Sequence, residues 1–324
     1  LCGAPRSTRM TLAAALAEAI GVATGTPCPP LTLRPIGGGD INRAFRASGG
    51  AHAWFVKTNR AERLPMFEAE AAALHALAAT DSVRVPRPLC SGVAAGPAFL
   101  VLEYLDLRGH GDAARLGEQL ARLHRAAQAR PEGAQFGWAH DNWIGSTPQP
   151  NGWRHDWIAF WREQRLGHQL KLAAQNGYGG ALQRDGEALM VRLDGFFVGY
   201  RPTPSLLHGD LWGGNHGYLA DGTCEPACPS GHGKPESPCG TPVIFDSAIY
   251  VGDRECDLAM SELFGGFAPA FYAAYREAWP LDPGYAVRKT LYNLYHILNH
   301  ANLFGGGYAA QAQRMLSQLL AQLR

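Results

Sequence analysis

From Leu206 to Asp246 the chain reads LLHGDLWGGN, then two short strand-like runs, then VIFD. His208-Gly209-Asp210 is followed at a spacing of five by Asn215, and Asp246 closes the next strand. This is the pattern of a phosphoryl-transfer catalytic loop. That chemistry asks little covalent work of a protein: an acid to orient and accept the proton of an attacking hydroxyl, and oxygen ligands for Mg²⁺. Asp210 fits the first role, and Asn215 and Asp246 fit the second. On its own His-Gly-Asp is a weak signal, because a surface turn can carry an Asp and an Asn by chance.

The rest of such a site should lie upstream in a fixed order, and it does. Residues 11–20 (TLAAALAEAI) read as a helix that Gly21 ends, and a Pro-rich connector follows at 27–30. Strand-like runs then cover Leu31–Ile36, roughly Asn42–Ala47, and Ala53–Thr58. Gly37, Gly38 and Gly39 join the first two, which lets backbone N–H groups approach phosphate. Lys57 ends the third, where a lysine should meet the α- and β-phosphates of ATP. A helix over 65–79 carries Glu70 in the frame E-x-x-x-L-x-x-L, suited to hold Lys57. Glu68 falls on another helical face and is the second choice. Pro86 and Pro88 keep 83–91 extended, and Phe99–Leu105 reads as a buried strand. A hairpin turn and a solvated lysine are the bland readings of Gly37–Gly39 and Lys57. Five elements in one order, each on its required secondary structure, leave those readings little room.

Beyond residue 105 the pattern turns helical. Leu116, Leu120 and Leu123 share one face of Leu116–Arg125. Helices are expected within 153–175 and over 183–199, 256–264, 267–279, 285–303 and 308–324. The fold class is therefore α+β: a small antiparallel-sheet N-lobe over 1–105 that binds ATP, and a mostly helical lobe over 106–324 for catalysis and substrate. Asp257 is expected to brace the catalytic-loop backbone, and His124 to pack and hydrogen-bond inside the larger lobe.

Composition excludes several classes. Lys and Arg number 29 against 28 Asp and Glu, which gives no electrostatic case for nucleic acid or an anionic membrane. No apolar run approaches the roughly 18 residues of a membrane span. Seven irregularly spaced cysteines do not read as a disulfide framework, and a reducing compartment fits best. A cytoplasmic location is expected. The alternative is a plastid or mitochondrion, if the acid-free residues before Met10 are the end of a transit peptide.

Six stretches carry a narrower likeness: GGGDINRAFR (37–46), FVKTN (55–59), MFEAEAAALHAL (66–77), FGWAHDNWIGSTPQPN (136–151), HGDLWGGN (208–215) and FDSAIYVGDRECDLAMSELFGGF (245–267). Through them the chain resembles the fructosamine kinase (ketosamine-3-kinase) family, a branch of the aminoglycoside and choline kinase-like group with a protein-kinase-like bilobal fold. The resemblance implies ATP- and Mg²⁺-dependent phosphorylation of the 3-hydroxyl of a fructosamine or ribulosamine, on a small amine or a protein lysine. The product breaks down, so the family is associated with deglycation. By position the resemblance makes Asp210 the catalytic base, Asn215 and Asp246 the metal ligands, and Lys57 with Glu70 the ATP clamp. Glu103, Tyr104 and Leu105 become the adenine hinge. Asp141, Asn142, Trp143, Trp212, Arg254 and Glu255 become substrate-pocket candidates. Glycated proteins or small ketosamines are the expected partners, and a monomer is expected.

Three features depart from the family pattern. Asp40 stands where some relatives carry a cysteine, so no redox switch is expected in that loop. Ser247 follows Asp246 where proline is common. Residues 224–240 interrupt what should be a tight hairpin. Cys224, Cys228, His232 and Cys239 offer zinc ligands there, but C-x3-C-x3-H-x6-C is not a standard finger spacing, and a loop is expected instead. Two rival readings remain: a kinase of the same fold acting on an aminoglycoside or choline, and a non-catalytic binding module of kinase shape.

Overall fold

The protein is described by a computed structural model covering residues 10–37, 41–126, 135–220 and 240–323. Gly38, Gly39, Asp40 and the 224–239 segment with Cys224, Cys228, His232 and Cys239 lie outside the described residues, as do residues 1–9. By its contacts the chain divides into two units, one of residues 1–76 and 86–106, the other of 77–85 and 107–324.

In the first unit, helix α1 (Leu12–Thr24) precedes strands β1 (Thr32–Ile36), β2 (Arg43–Gly49) and β3 (His52–Asn59). Helix α2 (Leu64–Ala78), β4 (Pro88–Val93) and β5 (Ala98–Glu103) follow. The five strands form one sheet in the order β1-β2-β3-β5-β4, with every neighbouring pair antiparallel. β5 (AFLVLE) sits inside the sheet, as its apolar run demands, and its first five residues are buried. Leu16 and Ile20 of α1 pack with Phe45, Ala47, Val56, Phe99 and Val101 of the sheet. Thr11 caps α1 through Oγ1. The helix runs past Gly21, where a stop was expected, to the left-handed cap Gly25 at φ 68°. A glycine four residues later supplies the positive φ of a C-terminal cap, so Gly21 is helix interior.

The second unit opens with β6 (Leu107–Arg108) and helix α3 (Ala113–Arg125). A short hairpin, β7 (Asn142–Ile144) with β8 (Thr147–Gln149), was not foreseen from the sequence. Helices α4 (Trp157–Trp161) and α5 (Gly167–Gln175) are joined by a π-helical stretch over Arg162–Leu166, and α6 (Ala181–Val191) follows. Strands β9 (Pro204–Leu207), β10 (His216–Leu219), β11 (Pro242–Ile244) and β12 (Tyr250–Asp253) then lead into α7 (Glu255–Leu263), α8 (Pro269–Ala278), α9 (Tyr285–Phe304) and α10 (Tyr308–Gln322). The core gathers Trp157, Phe160 and Trp161 of α4 against Leu291, Tyr292, Leu294, Tyr295, Ile297 and Leu298 of α9. Two small ladders frame one loop region: β12 pairs with β9, and β10 lies between β11 and β6. Residues 77–85, expected in the first lobe, group with this unit. Arg84 bridges to Val243 and accepts the amide of Ile244.

Candidate active site

In the second unit β9 ends at Leu207 and releases the chain into His208-Gly209-Asp210. Asn215 immediately precedes β10, and Asp246 lies between β11 and β12. The loop is fastened at several points. Asp257, at the start of α7, accepts the amides of His208 (2.7 Å) and Gly209 (2.8 Å) on its two carboxylate oxygens. Ala248 N–H donates to the His208 carbonyl, and Phe245 N–H to that of Asn215. Gly209 has φ +83°, and a Cβ there would fall inside the radius of the Ala248 carbonyl oxygen, so only glycine fits.

Asp257 in turn ends a relay of donors. Arg254 Nη1 donates to the Tyr275 hydroxyl (3.2 Å), Tyr275 O–H to His124 Nδ1 (2.8 Å), and His124 Nε2–H to Asp257 Oδ2 (3.1 Å). Burial pushes the Asp257 carboxyl up, but the His124 bond, the nearby imidazoles and the Gly209 N–H outweigh it and hold it below the ordinary range. His208 is fully buried and, through that burial, neutral. Its Nε2–H donates to the Phe245 carbonyl and its Nδ1 accepts the Asp210 amide. The bracing role of Asp257 and the packing role of His124, both read from the sequence, are present in these bonds.

At the loop's centre Asn215 Nδ2 donates to the Asp210 carbonyl (2.9 Å) and to Asp210 Oδ2 (3.2 Å), with a longer contact to the Asp246 carbonyl (3.4 Å). Burial first, and the Asp246 charge second, push the Asp210 carboxyl up to about 7 against the Asn215 bond. Asp246 and the Asn215 side-chain amide offer oxygen donors of the kind a hard divalent cation takes, and such a cation would draw the neighbouring Asp210 back down. With Nδ2 so committed, Asn215 has Oδ1 to offer. Asp246 holds φ +59°, a left-handed conformation that is costly for a side-chain-bearing residue and is found at functional sites. Among the described residues no cluster of three His, Cys, Asp or Glu side chains suits a transition metal.

In the first unit Lys57 Nζ meets Glu70 Oε1 at 2.6 Å, both largely buried, whereas Glu68 is exposed. Among the described residues nothing lies within 4 Å of where a Cβ on Gly37 would sit. Glu103 N–H donates to the Arg87 carbonyl, Tyr104 lies under the Arg46 guanidinium at 4.6 Å, and Leu105 is half-buried.

The substrate candidates divide. Asp141 and Trp212 are exposed and Trp143 is half-buried. Trp212 packs edge-on against Phe264. Asn142, in contrast, spends its side chain internally: Nδ2 on the Ile249 carbonyl, and Oδ1 on Gln149 and Asn151. Arg254 gives its guanidinium to Tyr275 and to the carbonyls of Trp279 and Pro280, and stacks on Trp279. Glu255 is 0% exposed and forms a two-point ion pair with Arg288 at 2.7 and 2.9 Å. Of the expected sugar contacts, Asn142, Arg254 and Glu255 thus have their polar atoms engaged within the protein.

Sequence reasoning missed the group beneath the β7–β8 hairpin. Arg165 is fully buried with rings of Tyr250, Phe160 and Tyr295 around its guanidinium, and donates to the Pro150 carbonyl and Asn151 Oδ1. Gln149 Nε2 reaches the Ala248 carbonyl, which ties the hairpin to the segment after Asp246. His296 of α9 was also missed. Nothing in a helix reading YHILNH separates a core histidine from one at a site.

An antiparallel five-stranded unit with a strand-lysine and helix-glutamate pair, and a helical unit carrying this braced Asp–Asn–Asp loop, define a phosphotransferase of the protein-kinase-like fold. A family model described as fructosamine kinase matches residues 12–322, and the chain belongs to that family. It is 46% identical over 307 residues to a probable ketoamine kinase of Synechocystis sp., covering 94% of this chain and 96% of the relative. It is 40% identical over 291 residues to the chloroplastic protein-ribulosamine 3-kinase of Arabidopsis thaliana, covering 89% and 82%. The crystal structure of an assigned fructosamine-3-kinase from Haemophilus somnus superposes with a TM-score of 0.81 at 28% identity, over 94% of this chain and 97% of the other.

Proposed function

We propose that the chain transfers the γ-phosphoryl group of ATP to the 3-hydroxyl of a ketosamine, a fructosyl or ribulosyl sugar on a small amine or a protein lysine, and so starts removal of the sugar. The observation that carries the chemistry is the Asp210–Asn215–Asp246 cluster on a loop whose backbone Asp257 fixes. Membership of the fructosamine kinase family supports the acceptor, and the ribulosamine 3-kinase relative supports the position of attack.

Asp210 orients the attacking hydroxyl and takes its proton as the new O–P bond forms. The bond from the γ-phosphorus to the bridging oxygen breaks, and ADP leaves. Asn215 and Asp246 would hold Mg²⁺, which supplies neutralising charge to the phosphates. Lys57, held by Glu70, engages the α- and β-phosphates, and the backbone at Gly37–Gly39 covers phosphate. Glu103, Tyr104 and Leu105 meet adenine through backbone groups. Asp141, Trp143 and Trp212 supply the carboxylate and flat aromatic faces that polyols favour. In this reading residues 1–105 handle ATP and residues 106–324 the acceptor. Among the described residues no helix is long and apolar enough to cross a membrane. We place the enzyme in the cytoplasm or, alternatively, in a plastid, as in the chloroplastic relative, or a mitochondrion.

The test is ATP consumption with Mg²⁺ against ribulosyl-lysine, fructosyl-lysine, kanamycin and choline. Turnover on a ketosamine is expected. Turnover confined to kanamycin or choline would overturn the acceptor, and silence on all four would overturn the activity.

A further inference from the structure

His296 projects from α9 toward the catalytic loop, with Nδ1 4.0 Å from Asp210 Oδ1. His296 is 4% exposed, and Nδ1 is buried with no hydrogen-bond partner among the described residues. A buried polar atom left unpaired is costly, so an orphan beside a reactive carboxylate calls for a ligand atom. Burial first, and His300 second, lower the imidazole to about 3, so it is neutral; in the tautomer that keeps its proton on Nε2, Nδ1 is an acceptor.

The two atoms are too far apart to bond to each other, since such bonds span about 2.7–3.2 Å. Asp210 Oδ2 already takes the Asn215 amide, and Oδ1 is the oxygen that faces His296. The separation suits a pair of neighbouring hydroxyls. Gauche oxygens of a vicinal diol lie about 2.9 Å apart, and each can reach one acceptor across an ordinary hydrogen bond.

We propose that Asp210 and His296 together read a vicinal diol: the hydroxyl to be phosphorylated donates to Asp210 Oδ1, and its neighbour on the sugar chain donates to His296 Nδ1. The inference rests on the ketosamine reading and adds to it a determinant of acceptor choice. For attack at the 3-hydroxyl, the neighbour is the 4-hydroxyl. An alcohol without an adjacent hydroxyl, such as choline, leaves Nδ1 unpaired and is disfavoured.

The experiment is a cycle of two changes, read as kcat/KM. Wild type and His296→Phe, which keeps a ring but accepts no hydrogen bond, are each assayed with ribulosyl-lysine and with its 4-deoxy analogue. Wild type should lose roughly tenfold to a hundredfold on the analogue, and His296→Phe a similar factor on the parent sugar. Together the two changes should cost little more than either alone, and His296→Asn, which restores an acceptor oxygen, should recover part of the preference for the 4-hydroxyl. Losses that simply multiply would overturn the proposal, as would a wild type indifferent to the 4-hydroxyl. If His296→Phe does not fold, the ¹⁵N resonance of Nδ1 in the wild-type chain without ATP decides instead. It should shift with ribulosyl-lysine and not with the 4-deoxy analogue, and no shift with ribulosyl-lysine would overturn the diol contact. Absence of any ketosamine turnover by wild type is a separate result and would remove the underlying reading.

Discussion

Asp257 concentrates more of the site's organisation than any residue in direct reach of a substrate. Its two oxygens hold the amides of His208 and Gly209, and His124 holds it in turn. Its folded pKa lies below the unfolded value near 3.8. A carboxyl depressed in this way adds stability that is complete above the unfolded pKa and is lost as pH falls through the folded one. Asp257→Asn should therefore melt at a lower temperature at pH 7, by an amount equivalent to about 2–4 kcal/mol. The gap should narrow as both proteins are melted at successively lower pH below about 4. A gap independent of pH would mean that the carboxylate charge is not what the loop uses. At Asp210, exchange for Asn should leave ATP binding intact, as seen by calorimetry, and reduce kcat by roughly 10²–10⁴.

The β7–β8 hairpin is an element whose position depends on side chains rather than on a ladder of its own. Two short strands cannot stand alone. The hairpin is seated by Gln149 and Asn142 on the backbone at 248–249 and by Arg165 from below. Arg165→Met keeps apolar bulk and removes the donors. It should raise KM for the ketosamine about tenfold through displacement of Asp141 and Trp143, with KM for ATP unchanged. Equal effects on both substrates would point to general loosening of the fold. None of this was legible in the sequence. DNWIGSTPQP is too short and too polar to announce a hairpin, and Arg165 sits among charged neighbours (WREQRL) that suggest a solvated face. The Lys57–Glu70 ion pair was legible because it follows from position on a strand and a helix, and local pattern fixes both. The internal partners of Arg254 and Glu255 were not legible, for the opposite reason. Their direction depends on Tyr275, Trp279 and Arg288, residues far along the chain whose positions only the fold sets.

At the scale of the whole molecule, the strands and helix of residues 31–105 and the long helices beyond them were readable, because apolar period and Gly/Pro punctuation suffice for those, whereas the short β7–β8 hairpin was not. The interruption at 224–240 was equally visible. β10 and β11 pair across it, with Tyr218 opposite Pro242 and the Leu219 amide on the Thr241 carbonyl, as the uninterrupted hairpin would require. Removing residues 224–240 to join Thr223 to Thr241 should therefore preserve the melting temperature within about 2 °C and kcat within a few fold, since β10 and β11 already pair without it. A loss of activity in that variant with the fold intact would give the segment a role at the Asp210–Asn215 loop. The central claim is tested most directly by mass and ³¹P spectra of ribulosyl-lysine after incubation with ATP, Mg²⁺ and the full chain. The account predicts one added phosphate, on the 3-hydroxyl, and none with Asp210→Asn. Phosphate on another hydroxyl, or equal product from Asp210→Asn, would contradict it.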